Sequence, residues 1–171
     1  MAEGVALESD VLKILNRGGL YSLINALVVS LLFFAYIGTL DVINAIPVTV
    51  KRMMNGLKKK THTVAATLGA TIFTDMLTSN LFVATFVISE TFRKKYDDMG
   101  INRKVLSRSI EDGSTMMESM FPWTVGGIFM STTLGVAVLD YVPFMFMSLF
   151  NITIAFFYAF TGIACFYNEK K

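Results

Sequence analysis

One cysteine, one histidine, one tryptophan and three prolines are all that the 171 residues hold of these types. The single cysteine, Cys165, lies inside an apolar run and excludes a disulfide framework within the chain. The lone histidine, His62, sits at a helix start, where capping or interface contact is its simplest use. It provides neither a metal cluster nor a Ser/His/Asp relay. No phosphate loop and no nucleophile elbow occur, so the residues point away from an enzyme. Charge is scarce too, at 16% of residues, against about 25% in a soluble domain. The net charge is only +2, and the basic residues gather in short linkers between apolar runs. That distribution argues against nucleic acid as a partner and for orientation in a membrane.

What is present is apolar. Hydrophobic residues make up 54% of the chain, with fifteen Phe and eleven Met, and the mean hydropathy is +0.58. The expected fold is an all-α integral membrane protein with about four membrane segments, over 20–40, 63–92, 121–140 and 144–167. Basic linkers fill 51–60 and 93–109, and a short amphipathic helix within 1–19 precedes the membrane domain, 20–171. The first ten residues carry Glu3, Glu8 and Asp10 but no basic residue, which is unlike a signal peptide. The expected partner is therefore the lipid bilayer, in a multi-pass cell-membrane protein. Its tail, Asn168-Glu169-Lys170-Lys171, favours a cytoplasmic C-terminus.

The second segment holds the main anomaly. It runs about 30 residues, and its middle carries Thr71, Thr74, Asp75, Thr78, Ser79 and Asn80. A carboxylate at mid-depth costs about 2.5–3.5 kcal/mol even on the lenient insertion scale. No basic residue in the segment offsets Asp75. A water-filled cavity, a cation, a proton or a group from another segment must stabilise it. Unwinding around Thr74–Asn80 would also free carbonyl oxygens for a cation; the bland alternative is a hydrogen-bonded Asp in a helix bundle. Both flanking linkers are basic, yet the positive-inside rule places both on one side. Either 63–92 is a hairpin tipped near Thr78-Ser79-Asn80, or one linker breaks the rule.

Leu106 to Val136 passes from charged to apolar. Asp112, Thr115 and Glu118 form a second polar approach to the membrane. Pro122 suits a first helical turn and Trp123 an interface. Gly127, Ser131 and Gly135 fall at i, i+4 and i+8, a stripe that permits close helix packing. Ser131, Thr132 and Thr133 can instead offer oxygens to an ion.

Leu106-Ser107-Arg108, Glu111-Asp112, Thr115, Pro122-Trp123, Met130 and Leu134-Gly135-Val136 resemble the C-terminal part of NhaC-type sodium/proton antiporters, in the ion transporter superfamily. Asn16-Arg17-Gly18-Gly19-Leu20 and Phe92-Arg93-Lys94-Lys95-Tyr96 extend the resemblance, which covers about 16–166. It implies a secondary transporter built from two inverted halves, with this chain as one discontinuous or re-entrant half. The other half would be a separate chain or a second copy of this one. Sodium and protons are the implied cargo, and no other cofactor is implied. The ion-binding candidates are Asp75, Thr74, Thr78, Ser79, Asn80, Asp112, Thr115 and Glu118, with Gly127, Ser131 and Gly135 assigned to helix packing.

The departures shift the site. The family's membrane Asp-Gln-Tyr aligns its Asp with Asn80, and its Ser-Pro becomes Glu118-Ser119. That leaves room for another cation, or for an organic acid or amino acid exchanger with Arg108 as anion clamp. A membrane subunit or remnant without transport is the third alternative.

Overall fold

The computed structural model describes residues 21, 24–54, 56–163 and 165. The amphipathic helix expected within 1–19 and the basic C-terminal tail lie outside them. The described residues are helical, with no β-strand.

Helix α1 spans Ile24–Val42 and α2 spans Ala45–Met54. The turn between them places Asn44 at φ 50°, a left-handed conformation that asparagine tolerates better than most residues. The stretch 41–54 is thus a helix end followed by a separate helix with Pro47 in its first turn. Lys51 and Arg52 close its last turn, where cations complement the helix dipole.

The long polar-centred segment is two helices. α3 runs Lys60–Thr78 and α4 runs Leu81–Asp98. The break is confined to Ser79 and Asn80. Ser79 takes φ 54° and donates its N–H to the Asp75 carbonyl at 2.8 Å. The Asn80 amide oxygen then caps α4, accepting from Phe82 N at 2.9 Å and Val83 N at 3.3 Å. Contrary to unwinding across Thr74–Asn80, the chain stays helical through Thr78. The two helices fold back on one another. Tyr96 of α4 donates to the Thr67 hydroxyl of α3 at 3.0 Å, and Thr63 bonds the Met99 sulfur at 3.3 Å. The start of α3 therefore meets the end of α4, and both basic linkers leave the same end of a hairpin.

α5, Arg103–Gly113, is capped by Asn102, which accepts from Lys104 N at 3.0 Å. The hairpin, α5 and the later α8 share one core of Val64, Leu68, Ile88, Phe92, Val105, Ile110, Ala155 and Ala159. An irregular stretch then carries one 3-10 turn, Glu118–Met120.

The stretch 121–140 is not a single helix. α6 covers only Val125–Leu134, so Pro122 falls in the turn before it. It ends on Gly135 at φ 73°, whose N–H bonds the Ser131 carbonyl at 2.8 Å. The short α7, Val138–Tyr141, and the 3-10 turn Val142–Phe144 follow at a bend of 81°. α8, Phe146–Thr161, packs on α3 and α5.

The polarity is reversed relative to a water-soluble bundle. Leu31, Leu32, Phe82, Phe86, Phe150, Phe157 and Phe160 are exposed, whereas Thr63, Thr67, Thr71, Thr74, Asp75 and Thr78 are fully buried. Among the described residues no single helix is long and apolar enough to cross a membrane, and the bent pair Val125–Leu134 with Val138–Phe144 passes that test together.

Candidate ion site

Asp75 sits one turn before the end of α3, where the helix dipole is negative. It is completely buried, and neither carboxylate oxygen has a hydrogen-bond partner. The adjacent Thr74 hydroxyl is equally buried and equally unpartnered. These are the only buried side-chain polar atoms without a partner among the described residues. Such groups are rare in folded proteins, because each forfeits its hydration with nothing in return.

A second acid approaches from 43 residues along the chain. Asp75 feels the charge of Glu118, whose carboxylate accepts the N–H of Gly126 in the first turn of α6. The positive end of α6 thereby steadies Glu118. The turn carrying Glu118 is bolted to the hairpin tip. Ser79 donates its hydroxyl to the Trp123 carbonyl at 2.6 Å, and the Trp123 indole N–H bonds the Met76 carbonyl at 2.9 Å. Thr124 caps α6, accepting from Gly127 N at 3.2 Å, and its hydroxyl donates to the carbonyls of Phe121, at 2.9 Å, and of Glu118. Tyr141 adds a bond to the Ser119 carbonyl at 2.6 Å. A fully buried carboxylate and a part-buried one held this way repel each other unless a cation or proton offsets their charge.

The remaining candidates have other surroundings. Thr78 donates to the Asn80 carbonyl at 3.2 Å, and Ser79 holds Trp123. The Asn80 amide oxygen caps α4. Asp112 accepts from Asn151 of α8 at 3.0 Å, and Thr115 is exposed. Of the packing stripe, Gly127 alone is buried, against the turn before its own helix. Ser131 donates to the Val136 carbonyl at 2.7 Å and Gly135 lies past the helix end, so the stripe does not continue. Arg108 stacks its guanidinium 5.8 Å from the Tyr158 ring centre. Thr124 and the Tyr96 hydroxyl are structural contributors that spacing alone did not single out, although a Thr immediately before an apolar helical run is a readable cap signal.

An apolar groove of about 380 Å³ opens beside the tip between Tyr36, Phe73, Met76, Leu77 and Trp123. Its lining offers an ion little. No group of three or more His, Cys, Asp or Glu able to hold a metal occurs among the described residues.

A helical fold with its polar groups inside and an apolar exterior is the fold of a membrane protein. The chain matches the profile of the Na+/H+ antiporter family over residues 2–163 and belongs to that family. It is 36% identical over 149 residues to the Na(+)/H(+) antiporter NhaC of Bacillus subtilis (strain 168), covering 85% of this chain and 33% of that protein. It is 29% identical over 171 residues to the Malate-2H(+)/Na(+)-lactate antiporter of the same organism, covering 98% and 36%. The Arginine/ornithine antiporter ArcD of Halobacterium salinarum is 34% identical over 101 residues, covering 55% of this chain and 21% of that protein. The chain thus spans about a third of the length of the first two relatives. No solved structure matches it.

Proposed function

We propose that this chain forms the C-terminal part of a multi-pass cell-membrane carrier that exchanges sodium for protons at Asp75. The observation that carries the reading is the buried, unpartnered Asp75 carboxylate beside the unpartnered Thr74 hydroxyl. A hard cation needs oxygen ligands, and these are oxygens without other work. One carboxylate holds either a proton or a sodium ion, so loading one expels the other, which is the logic of obligatory exchange. Glu118 forms the facing wall and adds a second negative charge to draw the cation in. Asn80, though placed at the tip, serves the site by ending α3 and starting α4 at a fixed angle.

In this reading the hairpin α3–α4 is re-entrant, with both basic linkers and the C-terminus cytoplasmic. The lipid bilayer covers the exposed aromatic surface. The chain is half of an inverted repeat, and the remaining wall of the site comes from an N-terminal half or a second copy of the chain. Sodium-driven proton flux in reconstituted vesicles tests the assignment. Wild type exchanges, and Asp75→Asn, which keeps the shape but cannot carry the proton, does not. Undiminished flux in Asp75→Asn sinks the role given to Asp75.

A further inference from the structure

A second cavity, away from Asp75, lies between α4 and α5 near the open end of the hairpin. It holds about 250 Å³ and is lined by Arg93 and Ser89 from α4 and by Arg103, Ser107 and Glu111 from α5, with the buried Leu106 and Ile110 in its wall. The sequence explains the arrangement. Ser89 and Arg93 are four residues apart, and Arg103, Ser107 and Glu111 follow at steps of four, so each set shares one face of its helix. Four residues rise about 6 Å. The lining therefore carries its guanidinium groups at the linker end and its one carboxylate about two turns further along α5.

Each guanidinium is steadied by an acid outside the cavity and keeps donors to spare. Arg103 gives Nε and Nη2 to Asp97, at 3.0 and 2.6 Å, out of five N–H donors in all. Arg93 meets Glu90 at 3.4 Å with both side chains about half exposed, a surface pair worth little against a better partner. Ser89 gives its proton to the Phe86 carbonyl at 3.0 Å. The exposed Ser107, one turn beyond Arg103, is the hydroxyl donor beside the guanidinium groups. Two forked cations and a hydroxyl from two helices suit the oxygens of a phosphate. Glu111 repels such an anion from the far end and keeps it beside the arginines.

The cavity is smaller than the roughly 300–1,000 Å³ that encloses a drug-sized ligand, so it takes a headgroup and leaves the rest of the molecule outside. What lies outside is apolar. Phe86 and Phe82, 69% and 75% exposed, continue along α4 from Ser89 towards the tip. A soluble phosphate gains nothing from that surface, whereas an acyl chain covers it. The geometry points to a binding site for the phosphodiester headgroup of an anionic phospholipid, held by Arg93, Arg103 and Ser107, with its chains along Phe86 and Phe82. Basic pockets between helices at the membrane surface recognise lipids in this way. The site does not depend on the role given to Asp75.

Lipid retention by the purified full chain in mild detergent, read by native mass spectrometry, tests it. Phosphatidylglycerol should stay bound, and phosphatidylcholine, whose trimethylammonium would lie among the arginines, should not. Arg103→Gln should weaken phosphatidylglycerol binding about tenfold, the worth of one charge-assisted hydrogen bond. Because that change also gives up the pair with Asp97, Ser107→Ala, which breaks no ion pair, serves beside it and should cost about fivefold. Lys51→Gln, which removes an exposed cation of α2 outside the cavity, should bind as wild type, and Glu111→Gln at least as tightly. Unchanged binding in both Arg103→Gln and Ser107→Ala overturns the site, as do an equal loss in Lys51→Gln, a loss in Glu111→Gln, or equal retention of the two lipids. Displacement of phosphatidylglycerol by inorganic phosphate would make the ligand a soluble anion and overturn the lipid assignment. Retention of neither lipid overturns it too.

Discussion

Three glycines make a graded probe of how the site wall is held, and Gly127 is the decisive one. A Cβ on Gly127 would lie 1.9 Å from the Phe121 carbonyl oxygen, 3.0 Å from its carbon and 3.1 Å from the Thr124 hydroxyl. The nearest atoms are backbone and cannot swing aside. Gly127→Ala must therefore push the turn 121–124 off the start of α6 and break the Thr124 cap. Over-packing costs about 1–3 kcal/mol and the lost cap about 1 kcal/mol. Alanine's better helix propensity returns about 1 kcal/mol. The net loss is about 1–3 kcal/mol, and Glu118 and Trp123 move with the turn. At Gly126 the nearest atoms are the end of the Glu118 side chain, at 3.2 Å, which can swing aside. Gly126→Ala should leave stability nearly unchanged while shifting the Glu118 carboxylate and weakening apparent sodium affinity. At Gly69 nothing lies within 4 Å, so Gly69→Ala stabilises by up to about 1 kcal/mol. Trp123, the chain's one tryptophan, reports directly from this turn, so equilibrium unfolding in detergent followed by its fluorescence reads all three. Equal unfolding midpoints for Gly127→Ala and Gly126→Ala would refute the packing argument.

Asn80→Ala removes the α4 cap and costs about 1 kcal/mol, whereas Asn80→Ser keeps a cap and the sodium affinity; an affinity collapse in Asn80→Ser at unchanged stability would show that the amide touches the ion. Gly113→Ala places a Cβ 2.9 Å from the Thr71 Cβ and 3.1 Å from the Leu68 carbonyl, and should destabilise the α3–α5 contact by about 1–3 kcal/mol, measured by the same unfolding assay. Trp123→Phe loses the bond to the Met76 carbonyl; it should lower stability by about 1 kcal/mol and loosen the Glu118 turn, read as faster amide hydrogen exchange over residues 118–124. On the linker side, Asp97 holds the Arg103 guanidinium by two bonds, at 3.0 and 2.6 Å, and raises its pKa from an already high value. A raised cation pKa favours folding below the unfolded value and fades only above it, so Asp97→Asn should lower stability slightly and by the same amount at every pH from about 5 to 9 in a thermal scan.

Local chemistry was readable where one residue type has one use. The polar tip at Ser79–Asn80 and the isolated carboxylate at Asp75 both stand out in the sequence. Where one chemistry has two uses, the sequence divides. An amide oxygen caps a helix as well as it ligates an ion, and Asn80 caps. Glycine at i+8 extends a packing stripe or ends the helix, and Gly135 ends it. Apolar length alone could not separate a span from a hairpin over 63–92. The cross-helix bond from Tyr96 to Thr67 shows the hairpin. The approach of Glu118 to Asp75 was least legible, because it depends on the bonds of Ser79 and Trp123 that dock one turn on another.

The most direct test of Asp75 as the exchanging acid is proton release on sodium binding by the purified protein in weakly buffered detergent solution. Wild type should release protons as sodium saturates it, Glu118→Gln should still release them at higher sodium concentration, and Asp75→Asn should release none. Release from Asp75→Asn equal to that of wild type would contradict the account.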